Sequence, residues 1–310
     1  MTYFPVVPKY SNKDQLKRLI EGPGLILLDG ALGTELLRNN VDLAQPLWSA
    51  AALERNAPLI RKIHRHYIQA GARIITANTF RTTTYSYEQA GFSARESGLR
   101  ALAATRTALA LAKTAIGDSG ALVALSMAPV DDCYTPEAYP GAAVAAETYQ
   151  VLAETGANAG ADLALIETQI NLEEALIALD AAGSVGLVAL VSFLVDDNMK
   201  LWHGDPLHHA VQQVNEYGAV GILVNCVTLP LAGKAAKELA ERSPLPWGIY
   251  ANRGTSQPSA EGIINEYYSN ADFAGAAVEW ARLGARFIGG CCGTTPDTIA
   301  AVHQALESRV

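Results

Sequence analysis

The chain has 310 residues, 50% hydrophobic and 17% charged, with a formal net charge of -8 at pH 7. Its length is ample for one barrel-sized domain or two smaller ones, and its acidic balance argues against a nucleic-acid or anionic-membrane surface, which needs clustered Lys and Arg. No apolar run approaches the roughly 18 residues of a membrane span, the start Met1-Thr2-Tyr3-Phe4-Pro5 lacks the features of a signal peptide, and four cysteines make no disulfide framework, so a reduced, soluble, cytoplasmic protein is expected.

In chain order, strands are expected at about Leu25–Asp29, Arg73–Asn78, Ala121–Met127, Asp162–Glu167, Leu187–Phe193, Val220–Cys226, Trp247–Asn252 and Arg286–Gly290. Helical patterns lie between them, among them Pro58–Ala70, Ala94–Ile116 and Asp272–Leu283. A phrase recurs at the junctions: Ala70-Gly71-Ala72, Ala159-Gly160-Ala161, Tyr217-Gly218-Ala219 and Leu283-Gly284-Ala285. Each follows a helical pattern and precedes an apolar run. The glycine reads as a helix C-cap, and the run as a strand buried on both faces.

Strands alternating with helices mean a parallel sheet. Eight such units predict an α/β protein with a single (β/α)8 TIM barrel domain over residues 1–310, in which 1–24 is an N-terminal extension without an assigned role. A doubly wound open sheet is the alternative. No G-x-G-x-x-G turn follows the first strand, which weakens a dinucleotide reading.

The barrel turns positions into function, because active sites of this fold lie at the carboxyl ends of the strands. Asp29, Asn78, Glu167, Cys226, Asn252 and the pair Cys291-Cys292 end their runs. Thiolates are soft ligands that suit Zn²⁺, and three protein ligands with one open position describe a catalytic zinc site. A bridge between Cys291 and Cys292 is disfavoured: adjacent Cα atoms lie about 3.8 Å apart, against roughly 4.4–6.8 Å in a relaxed disulfide. Neighbouring strand residues point to opposite faces, so both can serve as ligands only where the chain turns, and Gly289, Gly290 and Gly293 supply that freedom. A lone cysteine would read as a small buried core residue.

At these residues the chain resembles the homocysteine S-methyltransferase family. The matching phrases are Leu27-Leu28-Asp29-Gly30-Ala31-Leu32-Gly33-Thr34, Pro46-Leu47-Trp48-Ser49, Ala77-Asn78-Thr79-Phe80, Ile166-Glu167-Thr168, Val224-Asn225-Cys226 and Gly289-Gly290-Cys291-Cys292-Gly293-Thr294-Thr295-Pro296. The resemblance implies a homocysteine-binding barrel whose zinc is held by Cys226, Cys291 and Cys292 and takes the homocysteine thiol in its open position. It implies that Glu167 binds the homocysteine ammonium and Asp29 the amino-acid end. Asn225 and Thr79 are further candidates for substrate contact. No protein nucleophile is needed, because a metal-bound thiol is already deprotonated.

The donor is less determined. Thr168 stands where betaine-using relatives carry tyrosine, which counts against betaine. The segment Asn252-Arg253-Gly254-Thr255-Ser256-Gln257 departs from the asparagine-serine-glycine-glutamate phrase of S-methylmethionine users, although Pro46-Leu47-Trp48-Ser49 matches them. S-methylmethionine is the first expectation and S-adenosylmethionine the next. A cationic donor would want aromatic faces or carboxylates; Trp48, Tyr85, Tyr134, Trp202, Asp131 and Asp132 lie in loops within reach of the rim, and ordinary packing also accounts for each. Cys133 reads as incidental, and no metal role is expected for His64, His66, His208 or His209. Another thiol or a selenol acceptor, or a zinc-thiolate binding protein without turnover, is the alternative. The sequence specifies no oligomeric state.

Overall fold

Eight parallel strands curl into a barrel with helices between them. In the computed structural model, which describes residue 22 and residues 24–257 and 264–308, they are β1 Ile26–Leu27, β2 Ile74–Thr76, β3 Leu122–Met127, β4 Leu163–Gln169, β5 Ala189–Phe193, β6 Gly221–Asn225, β7 Trp247–Ala251 and β8 Phe287–Gly290. Hydrogen-bonded order runs β1-β8-β7-β6-β5-β4-β3-β2, and a parallel bridge from Leu28 to Ile74 joins β1 to β2 and closes the ring. The expected N-terminal extension lies outside the described residues except for Gly22 and Gly24. Among the described residues no helix is long and apolar enough to cross a membrane.

Every expected strand is present, shortened by one or two residues at most ends and with β4 extended by two, and the helix Ala94–Ile116 has the expected bounds. The recurring junction phrase does what its glycine implies. Gly71, Gly160, Gly218 and Gly284 all have positive φ, between 87° and 105°, the left-handed conformation that ends a helix cheaply only without a Cβ.

Side-chain alternation divides the core in two. Ile26, Leu28, Ile74, Leu122, Ala124, Leu163, Leu165, Leu190, Leu223, Tyr250 and Phe287 form one cluster, which fills the barrel interior. The intervening residues, such as Val123, Leu125, Ala164, Ile166, Ile222 and Val224, belong to a second cluster shared with the helices. A period of two along each strand therefore carries inward residues toward the barrel mouth. Two residues beyond Ile74, Ala124, Leu165, Leu190 and Leu223 stand Thr76, Ser126, Glu167, Ser192 and Asn225. The apolar interior thus ends in a polar layer at the carboxyl ends of the strands, where this fold builds its sites.

Candidate active site and metal centre

A cavity of about 700 Å³ opens above that layer. Its lining includes Asp29, Thr76, Ser126, Glu167, Tyr250, Cys226, Cys291 and Cys292 from strand ends, and Trp48, Arg81, Asp131, Tyr134 and Trp202 from loops. The three sulfur atoms of Cys226, Cys291 and Cys292 all lie within 4.8 Å of one another and form a group that could hold a metal ion.

Local backbone brings them together. Cys226 follows β6 with φ of 55°, a conformation rare for a non-glycine residue, and this turn directs its side chain into the cavity. Hydrogen bonds keep it there: Asn252 Nδ2 donates to the Cys226 carbonyl at 3.0 Å, and the Cys226 amide donates to the Tyr250 carbonyl. After β8 the chain turns at once. The Cys291 carbonyl accepts from the Thr294 amide and from its hydroxyl at 2.7 Å, so both cysteines leave the sheet facing the cavity. Thr295 then caps the helix Pro296–Glu307, with Pro at its start.

The glycines around the cysteines act differently from expectation. Only Gly293 has positive φ, at 80°. Gly289 and Gly290 are needed for space: a Cβ on the first would run into Leu28, and on the second into Thr294.

The Cys226 and Cys291 sulfurs lie against each other, with Cα atoms 5.5 Å apart, close enough to share an ion when reduced or to form a bridge when oxidised. Adjacent Cys291 and Cys292 are not bridged; the neighbour of Cys291 comes from β6, two strands away, which only the closed barrel brings alongside. Cys292 is a free thiol, pushed up to about 11 by burial, and the Tyr134 side chain hydrogen-bonds it. Cys133 lines the cavity but falls outside the three-sulfur group; burial raises its thiol to about 12. No histidine joins that group among the described residues, and both ring nitrogens of buried His64 lack a hydrogen-bond partner.

Two carboxyl groups face the cavity. Asp29 accepts from the Thr76 amide at 2.8 Å and from its hydroxyl at 2.9 Å. Glu167 accepts a short hydrogen bond from Ser126 Oγ and one from Tyr250 Oη at 3.5 Å. Burial pushes Asp29 up to about 8 against these hydrogen bonds, with a smaller push from the charge of Glu167. Glu167 is raised to about 7, again by burial. The register of β4 against β5 shifts between Ile166 and Gln169, and Thr168 has φ of 57°. Such bulges re-aim side chains beside functional sites, and here Glu167 and Thr168 both reach the cavity.

The other two expected contact residues stand elsewhere. Thr79 is fully buried, and its hydroxyl donates to the Ser126 carbonyl at 2.8 Å. Asn225 is also fully buried. Its Oδ1 accepts from the Thr168 amide and the Ser192 hydroxyl, and its Nδ2 donates to the Thr168 hydroxyl. Neither lines the cavity, because each side chain is occupied in tying strand ends together. Of the loop residues, Trp48, Asp131, Asp132, Tyr134 and Trp202 line it, while Tyr85 supports Asp131 through a 2.6 Å hydrogen bond. Ser126, Tyr250 and Arg81 were not expected; alternation beyond Ala124 would have flagged the first.

Residues 26–306 match the family model described as homocysteine S-methyltransferase. The chain is 31% identical to homocysteine S-methyltransferase 2 of Zea mays, over 96% of this chain and 94% of that one. It is 29% identical to selenocysteine Se-methyltransferase of Brassica oleracea var. italica, over 97% and 93%. Homocysteine S-methyltransferase of Escherichia coli (strain K12) is 33% identical, over 94% and 98%. Crystal structures of the Escherichia coli homocysteine methyltransferase MmuM superpose with a TM-score of 0.81 in the oxidized form, at 29% identity over 96% of this chain and 99% of that one. The metallated form gives 0.79, at 28% identity over 96% and 100%. Sequence, fold and site agree, and the chain belongs to the homocysteine S-methyltransferase family.

Proposed function

We propose that this protein transfers a methyl group from a small cationic donor to the sulfur of homocysteine, giving methionine, with zinc held by Cys226, Cys291 and Cys292. The observation that carries this reading is the three-sulfur group on the wall of a cavity that also presents Asp29 and Glu167. The donor set fits the ion. Three cysteine sulfurs within 4.8 Å of one another would supply the soft thiolate ligands that zinc takes. When the Cys226–Cys291 pair is oxidised, reduction must precede loading, since a disulfide offers no thiolate. Bound zinc supplies Lewis acidity that lowers the pKa of a substrate thiol toward neutrality.

The chain's own residues bind and orient. Asp29 and Glu167 receive the homocysteine ammonium, each held in place by its partners: Thr76 for the first, Ser126 and Tyr250 for the second. Burial leaves both carboxyls easily protonated, and an ammonium beside them favours the charged forms. In the transfer, the homocysteine thiolate attacks the donor methyl carbon in line. The new S–C bond forms with the thiolate's electron pair while the donor's S–C bond breaks. That pair stays on the donor sulfur, which leaves as a neutral thioether, and the thiol proton has already gone to solvent. Opposite charges disappear in this step, so the low polarity of a cavity walled by Trp48, Tyr134 and Trp202 favours it.

S-methylmethionine is the preferred donor and S-adenosylmethionine the next. The test is methionine formation by reduced, zinc-loaded protein with homocysteine and each donor in turn. Product that disappears in Cys291→Ala supports the assignment. Zinc bound without product from any donor rejects it. The selenocysteine-methylating relative makes a selenol acceptor the second reading, tested by replacing homocysteine with selenocysteine.

A further inference from the structure

Arg81 is the one cationic side chain among the described residues that line the cavity. It is 6% exposed, yet among the described residues it forms no ion pair with a carboxylate. Its Nη1 donates to the Pro129 carbonyl at 2.7 Å, and its guanidinium lies over the Phe80 ring, 4.9 Å from the centroid. Burying a cation is costly without an anion, and one neutral carbonyl leaves most of the guanidinium's donors for another partner. The Glu174 carboxylate feels the Arg81 charge only from beyond ion-pair distance, and is itself occupied by the Val130 amide and the Tyr149 hydroxyl.

Asp131 stands in the same patch. It lines the cavity, and its Oδ2 accepts from Tyr85 Oη at 2.6 Å. The charges of Arg81 and Asp131 are both felt at that hydroxyl. Among the described residues the two opposite charges form no ion pair with each other. The position is an outer one. Arg81 follows the last residue of β2 by five positions, and Asp131 follows the last residue of β3 by four. Asp29, Glu167 and the cysteines lie at or beside the strand ends below. A cation and an anion on the lining of one cavity suit the carboxylate and ammonium of an α-amino acid.

We propose that Arg81 and Asp131 clamp the α-carboxylate and α-ammonium of the methyl donor. The proposal rests on the methyl-transfer reading above. In this clamp the donor's sulfonium end extends inward past Tyr134 and Trp202, whose rings pack 5.7 Å apart, toward the homocysteine sulfur. S-methylmethionine and S-adenosylmethionine share this chemistry. Trimethylsulfonium has neither end group, and betaine lacks a free ammonium.

Equilibrium binding tests the clamp apart from turnover. Calorimetry on the reduced, zinc-loaded protein compares S-methyl-L-methionine, its α-carboxamide, trimethylsulfonium and S-adenosylmethionine, with the wild type, Arg81→Gln and Asp131→Asn. The wild type binds the acid roughly ten- to hundredfold more tightly than the carboxamide, as expected for a hydrogen-bonded charge. Arg81→Gln binds acid and carboxamide within about threefold. Asp131→Asn, at a half-buried position, loses the wild type's preference for S-methyl-L-methionine over N-acetyl-S-methyl-L-methionine, titrated as a fifth ligand. Homocysteine affinity is unchanged in both variants. Binding to S-methylmethionine alone, or to S-adenosylmethionine alone, identifies the source. Equal loss of acid and carboxamide in Arg81→Gln, weakened homocysteine affinity with unchanged donor affinity, or no binding of either sulfonium amino acid overturns the clamp. Intact discrimination without methionine formation upholds the clamp and rejects the transfer reading.

Discussion

Asn225 holds Thr168 in its left-handed conformation from two sides: it accepts from the Thr168 amide at 3.1 Å and donates to the Thr168 hydroxyl at 2.8 Å. The same amide oxygen accepts from Ser192 at 2.7 Å. One side chain on β6 thereby fixes the end of β4, and with it the direction of Glu167. Asn225→Ala should destabilise the protein by about 2–4 kcal/mol, since three buried groups lose their partner. It should also weaken homocysteine binding, because Glu167 loses its fixed frame. Urea unfolding and calorimetric titration with homocysteine check the two effects separately.

Metal binding should depend on three sulfurs and not on the fourth. Alanine at Cys226, Cys291 or Cys292 should lower zinc affinity by more than roughly a hundredfold, given that outer partners alone are worth about 10–100-fold. Cys133→Ala should keep one zinc per chain, because Cys133 lies outside the group. Metal content after dialysis against a zinc buffer distinguishes these cases.

Zinc uptake by the oxidised protein should require reductant. Protein with Cys226 and Cys291 bridged presents one thiol of the three, and should bind zinc weakly and form no methionine. Reduction followed by zinc should restore both, and a chelator should remove both again. A thiol count before and after reduction, taken beside metal content, tests this.

Homocysteine affinity should rise between about pH 6 and 8. Glu167 and Asp29 have carboxyls raised to about 7 and about 8, so both are largely neutral at pH 6 and must ionise to hold an ammonium. Glu167→Gln should flatten the slope. The stability effect has the opposite sign. Folded pKa values above the ordinary 4.5 and 3.8 mean the native state binds more protons. Their contribution is full below about pH 4 and is lost as pH rises through 7 to 8. Thermal unfolding of the metal-free wild type and Glu167→Gln across that window measures it.

Much of this molecule is legible in its sequence. The strands showed because parallel-barrel strands are buried on both faces and read as continuous apolar runs, and the junction glycines marked where each helix ended. Cys291, Cys292 and Cys226 stood out because strand counting put them at one rim. The hydrogen bonds of Asn225 to Thr168 and Ser192 were not legible from its place beside Cys226. On a strand, adjacency means opposite directions, and Asn225 belongs with the inward series beyond Leu223, while Cys226 turns off the strand. Arg81 gave no local signal. A lone charge in Thr79-Phe80-Arg81-Thr82 looks like a solvated loop residue, and only the folded loops show it buried against the cavity. The close approach of the Cys226 and Cys291 sulfurs was invisible for the same reason, since residues 65 apart meet only in the closed barrel.

Zinc K-edge absorption on the reduced, zinc-loaded protein tests the central claim most directly. The account predicts three sulfur neighbours at about 2.3 Å and a fourth on adding homocysteine. Fewer than three sulfurs, or a first shell that homocysteine leaves unchanged, would contradict it.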